Sequence, residues 1–509
     1  MSNLFENKRF FCYQIKEDLK SVIQNNQGQI VEKYQDDFDY CIISEERSKN
    51  ISVRVYYKCV DNGIPILKPS FLTSSVKHNS LDIANDHKNT FPSFAHQWIR
   101  KGTLRYLNYR DPKPSTKIFG FDFDSTLIMT RSGAPRSLTT DDWQIYNGNV
   151  IGRLKQLLEE GWKLVIFTNQ GGVDRRGYEW EVSVHDRIGQ FLDFVNLPIQ
   201  VVSTCARDKF RKPSPFLFGF FEKYLNGKLS INTQESAYVG DAAGREGDYV
   251  TTDYKFARNI GFQFYVPEQL FGISDPPSLL TKQKLEQRPR KEQKEEEKEK
   301  TILERNKNGF YKYQIGKTSM RSFDPMTIKG NLRKSKTKYA AYTKKELSAG
   351  IKQEIIVLVG CPSCGKTTFY NNYFKDLNYT LLNHNFDDNS LTKCLDNNGS
   401  IVIESDKCLT IRKRRQFIEI AKSKKIPIRA FYFKATVELA NHLNWYRVWT
   451  QDSIYIPSII YKITTVEKPQ KSEGFKQIKT ISFRPIFENE KLESLFYLWT
   501  EELLIKLQK

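Results

Sequence analysis

Short apolar runs recur along the chain with helical patterns between them. Near the start, RFFCYQI (9–15) and DYCIIS (39–44) predict strands. Between them, EDLKSVIQNNQGQIV (17–31) reads as an amphipathic helix, a stop at Gly28 and a further strand. VRVYYKCVDNG predicts another helix, ended by Gly63, and IPILKPSFLTSSV follows it. A polar stretch, KHNSLDIANDHKNT (77–90), then separates this small α/β unit from a larger one. There KIFGFDFD, KLVIFTNQ, IQVVST and SAYVGDA alternate with helical patterns, the signature of a parallel, doubly wound sheet. EQRPRKEQKEEEKEK (286–300) has no apolar face and reads as a solvated helix or disordered insertion. EIIVLVG opens a second α/β domain.

Chemistry gathers at the ends of these strands. FGFDFDSTL puts Asp122 and Asp124 two apart at the end of an apolar strand, so their side chains point the same way. Ligand sites of open α/β sheets lie at the carboxyl ends of strands. Two clustered carboxylates repel unless a cation joins them, which implies Mg²⁺. Asp122 then suits attack on phosphorus, and Asp124 suits protonating the leaving oxygen and later activating water. KLVIFTNQ ends on Thr168, a hydroxyl for a phosphate oxygen, and FRKPS offers Lys212 as a cation. YVGDAAGR supplies Asp241 as a further carboxylate for the metal, alongside Asp122 and Asp124.

Asp, Thr, Lys and Asp at strand ends in this order resemble the haloacid dehalogenase-type phosphatases. The surrounding FGFDFDSTLIMTRSG, DWQIYN, LVIFTNQGGV, FRKPS and VGDAAGR resemble, more narrowly, the polynucleotide kinase 3′-phosphatase family. The likeness continues in SFDPMTI and SEGFKQIKTISFRP and spans about residues 97–509. It implies a 3′-phosphate on DNA as substrate. It also implies Arg131 and Arg211 as candidate DNA contacts, an ordinary surface salt bridge being the alternative for each. The first unit is similar to a BRCT domain, with Gly28 after its first helix, its closing segment on Gly63 to Leu72, and Phe71 where a Trp is usual. Animal members of the family carry an FHA domain there instead. The expected fold class is therefore α/β throughout. It comprises a BRCT-like domain over 1–88, a phosphatase domain over 89–345 with a charged insertion about 275–315, and a P-loop kinase-like domain over 346–509.

VGCPSCGKTTFY fits G-x-x-x-x-G-K-T from Gly360 to Thr367, after a strand and before a helical pattern. Backbone N–H groups of such a loop cradle phosphates. Gly360, Gly365, Lys366, Thr367 and Thr368 are the expected nucleotide contacts, with Lys366 on the phosphates and Thr367 on Mg²⁺ of bound ATP. Cys361 and Cys364 form a CxxC with no second pair to complete a zinc site. Cys364, close to a helix start and a lysine, is a candidate for oxidation that would block the ATP site, an inert loop residue being the other reading. Against the family, the catalytic Asp of the kinase falls on Asn385 when counted from Lys366, with Asp387 or Asp388 able to substitute if the loop shifts. The segment Ile403-Glu404-Ser405-Asp406-Lys407 departs from the family pattern, and the lid keeps only Arg447 of its two arginines. These departures imply a kinase fold that binds ATP but phosphorylates poorly or not at all. A fully bifunctional kinase-phosphatase and a repair scaffold are the alternatives.

Composition changes this picture modestly. The 79 Lys and Arg against 59 Asp and Glu leave a formal net charge of +20, which suits either solubility or a polyanionic partner. KGNLRKSKTKYAAYTKKE and Arg412-Lys413-Arg414-Arg415 could track DNA or serve nuclear import, solvated faces being the alternative. No apolar run reaches the ~20 residues of a membrane span, and the start lacks a signal-peptide core. Eight scattered cysteines fit reduced thiols. The expectation is an intracellular, nuclear protein that acts on DNA ends bearing 3′-phosphates, with no membrane partner and a repair-protein partner on the BRCT-like unit.

Overall fold

The computed structural model describes residues 3–48, 50–245, 248, 250–273, 323–328, 347, 352–383, 386, 388–451, 453, 455–456 and 466–502. The charged insertion and the basic stretch 329–346 lie outside them. The described residues fall into two compact units. One holds those up to 211 with 217–241 and 262–273; the other holds 212–216, 242–261 and those from 323 onward.

The first unit begins with a four-stranded parallel sheet in the order Gln29–Val31, Arg9–Cys12, Tyr40–Ile42, Ile66–Leu67. The helices Glu17–Asn25, Val53–Asp61 and Ser70–His78 accompany it. Glu17 and Asp18 sit in the first turn of their helix, where its dipole favours negative charge. Gly28 follows that helix because a Cβ there would lie 2.6 Å from Ile23 Cγ2 and 3.0 Å from Phe5 Cβ. Phe71 is fully buried in the same small core.

A seven-stranded sheet follows, in the order Gln263–Tyr265, Ala237–Val239, Ile118–Phe121, Lys163–Asn169, Ile199–Thr204, Leu104–Tyr109, Ile99–Lys101. The first five run parallel. The near-continuous burial of Ala237–Val239, Ile118–Phe121, Lys163–Asn169 and Ile199–Thr204 explains why these four read as unbroken apolar runs, whereas the edge strand Gln263–Tyr265 is partly exposed. At one edge the sheet adds an antiparallel piece, where the hairpin Ile99–Lys101/Leu104–Tyr109 pairs antiparallel to Ile199–Thr204. The helices Val150–Glu159 and Tyr178–Val195 pack their apolar faces against the core around Phe119, Phe121 and Ile166.

In the second unit a five-stranded parallel sheet runs Tyr379–Leu382, Ser400–Ile403, Ile355–Val359, Ile428–Lys434, Gln477–Ser482. Strand Ile355–Val359 lies at its centre, fully buried, and feeds the loop that opens the helix Lys366–Tyr373. Among the described residues no helix is long and apolar enough to cross a membrane.

Candidate active sites

Strand Ile118–Phe121 ends under Asp122, whose backbone N–H donates to the Val239 carbonyl at 2.9 Å. Phe123 turns into the core against Phe191, so Asp122 and Asp124 face away from it. The neighbouring strand Ala237–Val239 leads to Asp241. A carboxylate oxygen of Asp122 lies within 4.8 Å of one of Asp241. Thr126 fixes Asp241 from both ends, its hydroxyl donating to Oδ1 at 3.4 Å and accepting from the Asp241 N–H at 3.1 Å. Two carboxylates this close favour a divalent cation between them, and the pair fits Mg²⁺.

Asp124 is held by two groups. Gln170 Nε2 donates to its Oδ2 at 2.8 Å and to the Thr168 hydroxyl at 2.9 Å, and Arg187 Nη2 approaches its Oδ1 at 3.5 Å. Thr168 is buried at the end of strand Lys163–Asn169, whereas the Asp124 side chain stays 44% exposed and reachable by a substrate. Arg187 is buried, with Nε and Nη1 lacking partners among the described residues. The loop after Met129 is pinned by Asp142, which accepts from Ser132 N, Ser132 Oγ and Leu138 N. Burial opposes ionisation of this carboxyl, but the hydrogen bonds from Ser132 and Leu138 and nearby Arg187 hold it below its ordinary value. Arg131, on that loop, is exposed. Arg211 lies over the loop after Thr168: a Cβ on Gly171 would sit 2.8 Å from its Nη1. Lys212 belongs to the second unit, where its buried ammonium donates to Asp253 Oδ1 at 2.8 Å while Asp253 Oδ2 accepts from Ala242 N.

The P-loop follows its strand as the spacing predicts. Lys366 Nζ donates to the carbonyls of Gly360 at 3.1 Å and Cys361 at 2.7 Å, and Gly365 takes a left-handed φ of 90°. Thr367 and Thr368 are exposed on the first helical turn. The Thr367 hydroxyl donates to Glu404 Oε2 at 2.7 Å, and Lys366 lies 3.9 Å from Glu404 Oε1. Glu404 therefore places a carboxylate beside the P-loop threonine, at the end of the adjacent strand Ser400–Ile403. Burial opposes ionisation of the Cys364 thiol, but the neighbouring Cys361 and Lys366 lower its pKa from the ordinary 9.0 to about 7. Asn385 and Asp387 lie outside the described residues, and of Asp388 only the backbone is described, opening the helix Asp388–Asp396. Arg447 donates to Asn444 Oδ1 at 3.0 Å on the helix Val437–Gln451.

Comparison with known proteins decides the family. A family model described as polynucleotide kinase 3 phosphatase matches residues 117–271, and one described as BRCT domain matches residues 3–105. The bifunctional polynucleotide phosphatase/kinase of Schizosaccharomyces pombe is 30% identical over 439 residues, covering 83% of this chain and 94% of that protein. The chain belongs to the polynucleotide kinase 3′-phosphatase family. The polynucleotide 3′-phosphatase ZDP of Arabidopsis thaliana is 35% identical over 189 residues, 34% of this chain and 27% of that protein. The polynucleotide 3′-phosphatase of Saccharomyces cerevisiae is 27% identical over 206 residues, 30% of this chain and 87% of that protein.

For this family member, sequence reasoning found the strand-end acids but not the groups that hold them. Gln170 stands two residues beyond Thr168, so the period-two rule that paired Asp122 with Asp124 could have found it. Arg187 could not be found that way, since it reaches Asp124 from a helix 63 positions away. Glu404, read from sequence as a departure, offers its carboxylate to Thr367.

Proposed function

We propose that this protein is a Mg²⁺-dependent polynucleotide 3′-phosphatase that prepares broken DNA ends in the nucleus, with a kinase-fold domain that binds ATP. The observation that carries the reading is the Asp122–Asp241 carboxylate pair beside an Asp124 held by Gln170 and Arg187. The names of the relatives point to the same substrate class. Asp122, Asp124 and Asp241 are the residues to hold Mg²⁺, which when bound would neutralise phosphate charge. The Asp122 carboxylate attacks the phosphorus of the terminal 3′-phosphate, and the bond to the 3′-oxygen breaks. Asp124 delivers the proton to that oxygen, then takes one from the water that cleaves the aspartyl-phosphate and releases inorganic phosphate. Thr168, whose oxygen already accepts from Gln170, keeps its own hydrogen for a phosphoryl oxygen. Lys212 is the cation that the motif order assigns to the transferred group. Arg131 and Arg211 are the proposed DNA contacts, and the BRCT unit is the proposed docking point for a repair protein.

Phosphorylation of 5′-hydroxyls is expected to be weak, because an amide at Asn385 cannot take the hydroxyl proton. The loss of a general base costs about 10²–10⁴ in rate. The Thr367–Glu404 contact favours the second reading, an active kinase served by Asp387 or Asp388. One nicked duplex with a 3′-phosphate and a 5′-hydroxyl, given Mg²⁺ and labelled ATP, tests both. Phosphate release without label on the 5′ end supports the first reading, and label at a comparable rate supports the second. Phosphate release that survives in Asp122→Asn, or in excess chelator, would overturn the phosphatase mechanism. Imaging of the tagged chain tests the nuclear location.

A further inference from the structure

The face of the BRCT unit that carries the helix Val53–Asp61 is covered by the phosphatase within the first compact unit. One buried cluster joins Ile51, Val55 and Cys59 to Val173, Tyr178 and Val182. Tyr178 stacks on Tyr56 with ring centroids 3.6 Å apart, and its backbone N–H donates to the Ile51 carbonyl at 3.0 Å. Arg54 forks onto Asp174, Nε to Oδ1 at 3.1 Å and Nη2 to Oδ2 at 3.3 Å. The Tyr57 hydroxyl donates to Glu181 Oε1 at 3.3 Å, and Arg105 Nε donates to the same oxygen. Gly177, between the helices Val173–Arg176 and Tyr178–Val195, has φ 94°, and a Cβ there would lie 2.6 Å from the Ile51 carbonyl oxygen. No other residue allows both that backbone and that approach.

The gripped segment meets the acid–base carboxylate at both ends. Gln170, just before it, holds Asp124 and Thr168; Arg187, further along the helix Tyr178–Val195, reaches Asp124 from the other side. A helix moves as a body, so where Tyr178 and Glu181 are seated sets where Arg187 arrives. A displacement of about 1 Å at such a group costs on the order of 10² in rate.

We infer that the BRCT unit is a positioning element of the phosphatase: by clamping residues 173–182 it seats Gln170 and Arg187 against Asp124, with Arg54, Tyr56 and Gly177 as positioning residues. The inference rests on the phosphatase reading above. Its test uses the full chain as wild type, Arg54→Glu, Asp174→Arg, the double variant and Gly177→Ala. Each is assayed with Mg²⁺ on a 3′-phosphorylated oligonucleotide, and amide hydrogen exchange is followed over residues 170–187. Each charge reversal is expected to lower kcat by about 5–20-fold with KM nearly unchanged, as loss of orientation does. The double variant is expected to recover to within about twofold of wild type, because its pair attracts again with the signs exchanged. Exchange over 170–187 should quicken in the single variants and slow again in the double one. Gly177→Ala should lower kcat further, and the exposed charge pair carries the test should that variant not fold. Wild-type kcat in both single variants, or losses the double variant does not restore, would overturn the inference. A wild-type chain that releases no phosphate removes the phosphatase reading instead. The exchange comparison then still decides the clamp: quicker exchange in the single variants upholds it, and unchanged exchange refutes it.

Discussion

Gln170 shows how much one side chain can organise. With a single amide nitrogen it links Asp124 to Thr168, the proposed acid–base group to the hydroxyl proposed to hold a phosphate oxygen. Gln170→Ala is expected to lower kcat by about 10-fold or more, because it removes the hydrogen bonds that orient Asp124 and Thr168; Gln170 is itself buried, so a lower melting temperature is expected with it. In the P-loop, Cys364 is buried, with Lys366 Nζ at 3.9 Å from its sulfur and Cys361 beside it. A thiol lowered to about 7 becomes thiolate as pH rises through neutrality. Alkylation of Cys364 should accelerate from pH 6 to 8 and level off above, and should be slowed by ATP. Mass spectrometry of the labelled peptide checks this, and a rate flat across that range would remove the proposal. The acids at strand ends were legible because strand periodicity is local. Arg187 was not, because its contact with Asp124 depends on how a helix packs.

At the scale of elements, apolar runs located Ile118–Phe121, Lys163–Asn169, Ile199–Thr204, Ala237–Val239 and Ile355–Val359, since a strand buried on both faces is written as a continuous run. The edge hairpin Ile99–Lys101/Leu104–Tyr109 was missed for the converse reason. Its outer strand is largely exposed, and KGTLRYLNY mixes basic and aromatic residues without a clean alternation. Beside Ile355–Val359, the other four strands of the second unit's sheet were not read from the sequence. Gly28 was legible as a helix stop, yet the structure gives it a different reason: Gln27 takes the left-handed turn at φ 66°, and Gly28 is small because Ile23 and Phe5 press on it. Gly28→Val should therefore destabilise the BRCT sheet by about 1–3 kcal/mol through overpacking. Calorimetry of the full chain measures it, and an unchanged unfolding profile would show that the loop yields freely.

For the whole molecule, charge and buried titratable groups set the response to solution conditions. A net charge of +20 predicts DNA binding that weakens steeply with salt, the slope of log K against log salt being about −0.9 per phosphate contacted. Titration of a labelled nicked duplex from 50 to 200 mM salt measures it, and a flat response would argue against phosphate contacts. His185 is fully buried among Trp98, Phe94, Cys205, Arg105 and Arg187; burial lowers its pKa from the ordinary 6.5 to about 3, against the hydrogen bond to the Glu181 carbonyl. Below pH 6.5 the unfolded chain takes a proton that the folded chain refuses. Stability from this group is thus complete above pH 6.5 and falls by about 1.4 kcal/mol per pH unit as the solution is acidified toward pH 3. Glu181, whose carboxyl is raised by burial against the pull of Arg105, acts in the opposite sense in the same region. Comparing His185→Phe with wild type isolates the histidine: the melting temperature should fall less between pH 7 and pH 5 in the variant.

The sequence by itself determined the α/β class, the strand-end acids, the P-loop and the kinship to polynucleotide kinase 3′-phosphatases. These follow from local periodicity and from motifs in which the reacting groups stand a few residues apart. Tertiary structure alone decided what holds Asp124, what faces Thr367, and that the BRCT helix Val53–Asp61 is seated on the phosphatase. Those contacts join residues tens of positions apart, and they depend on the packing of elements whose sequences record only that each has a face to bury.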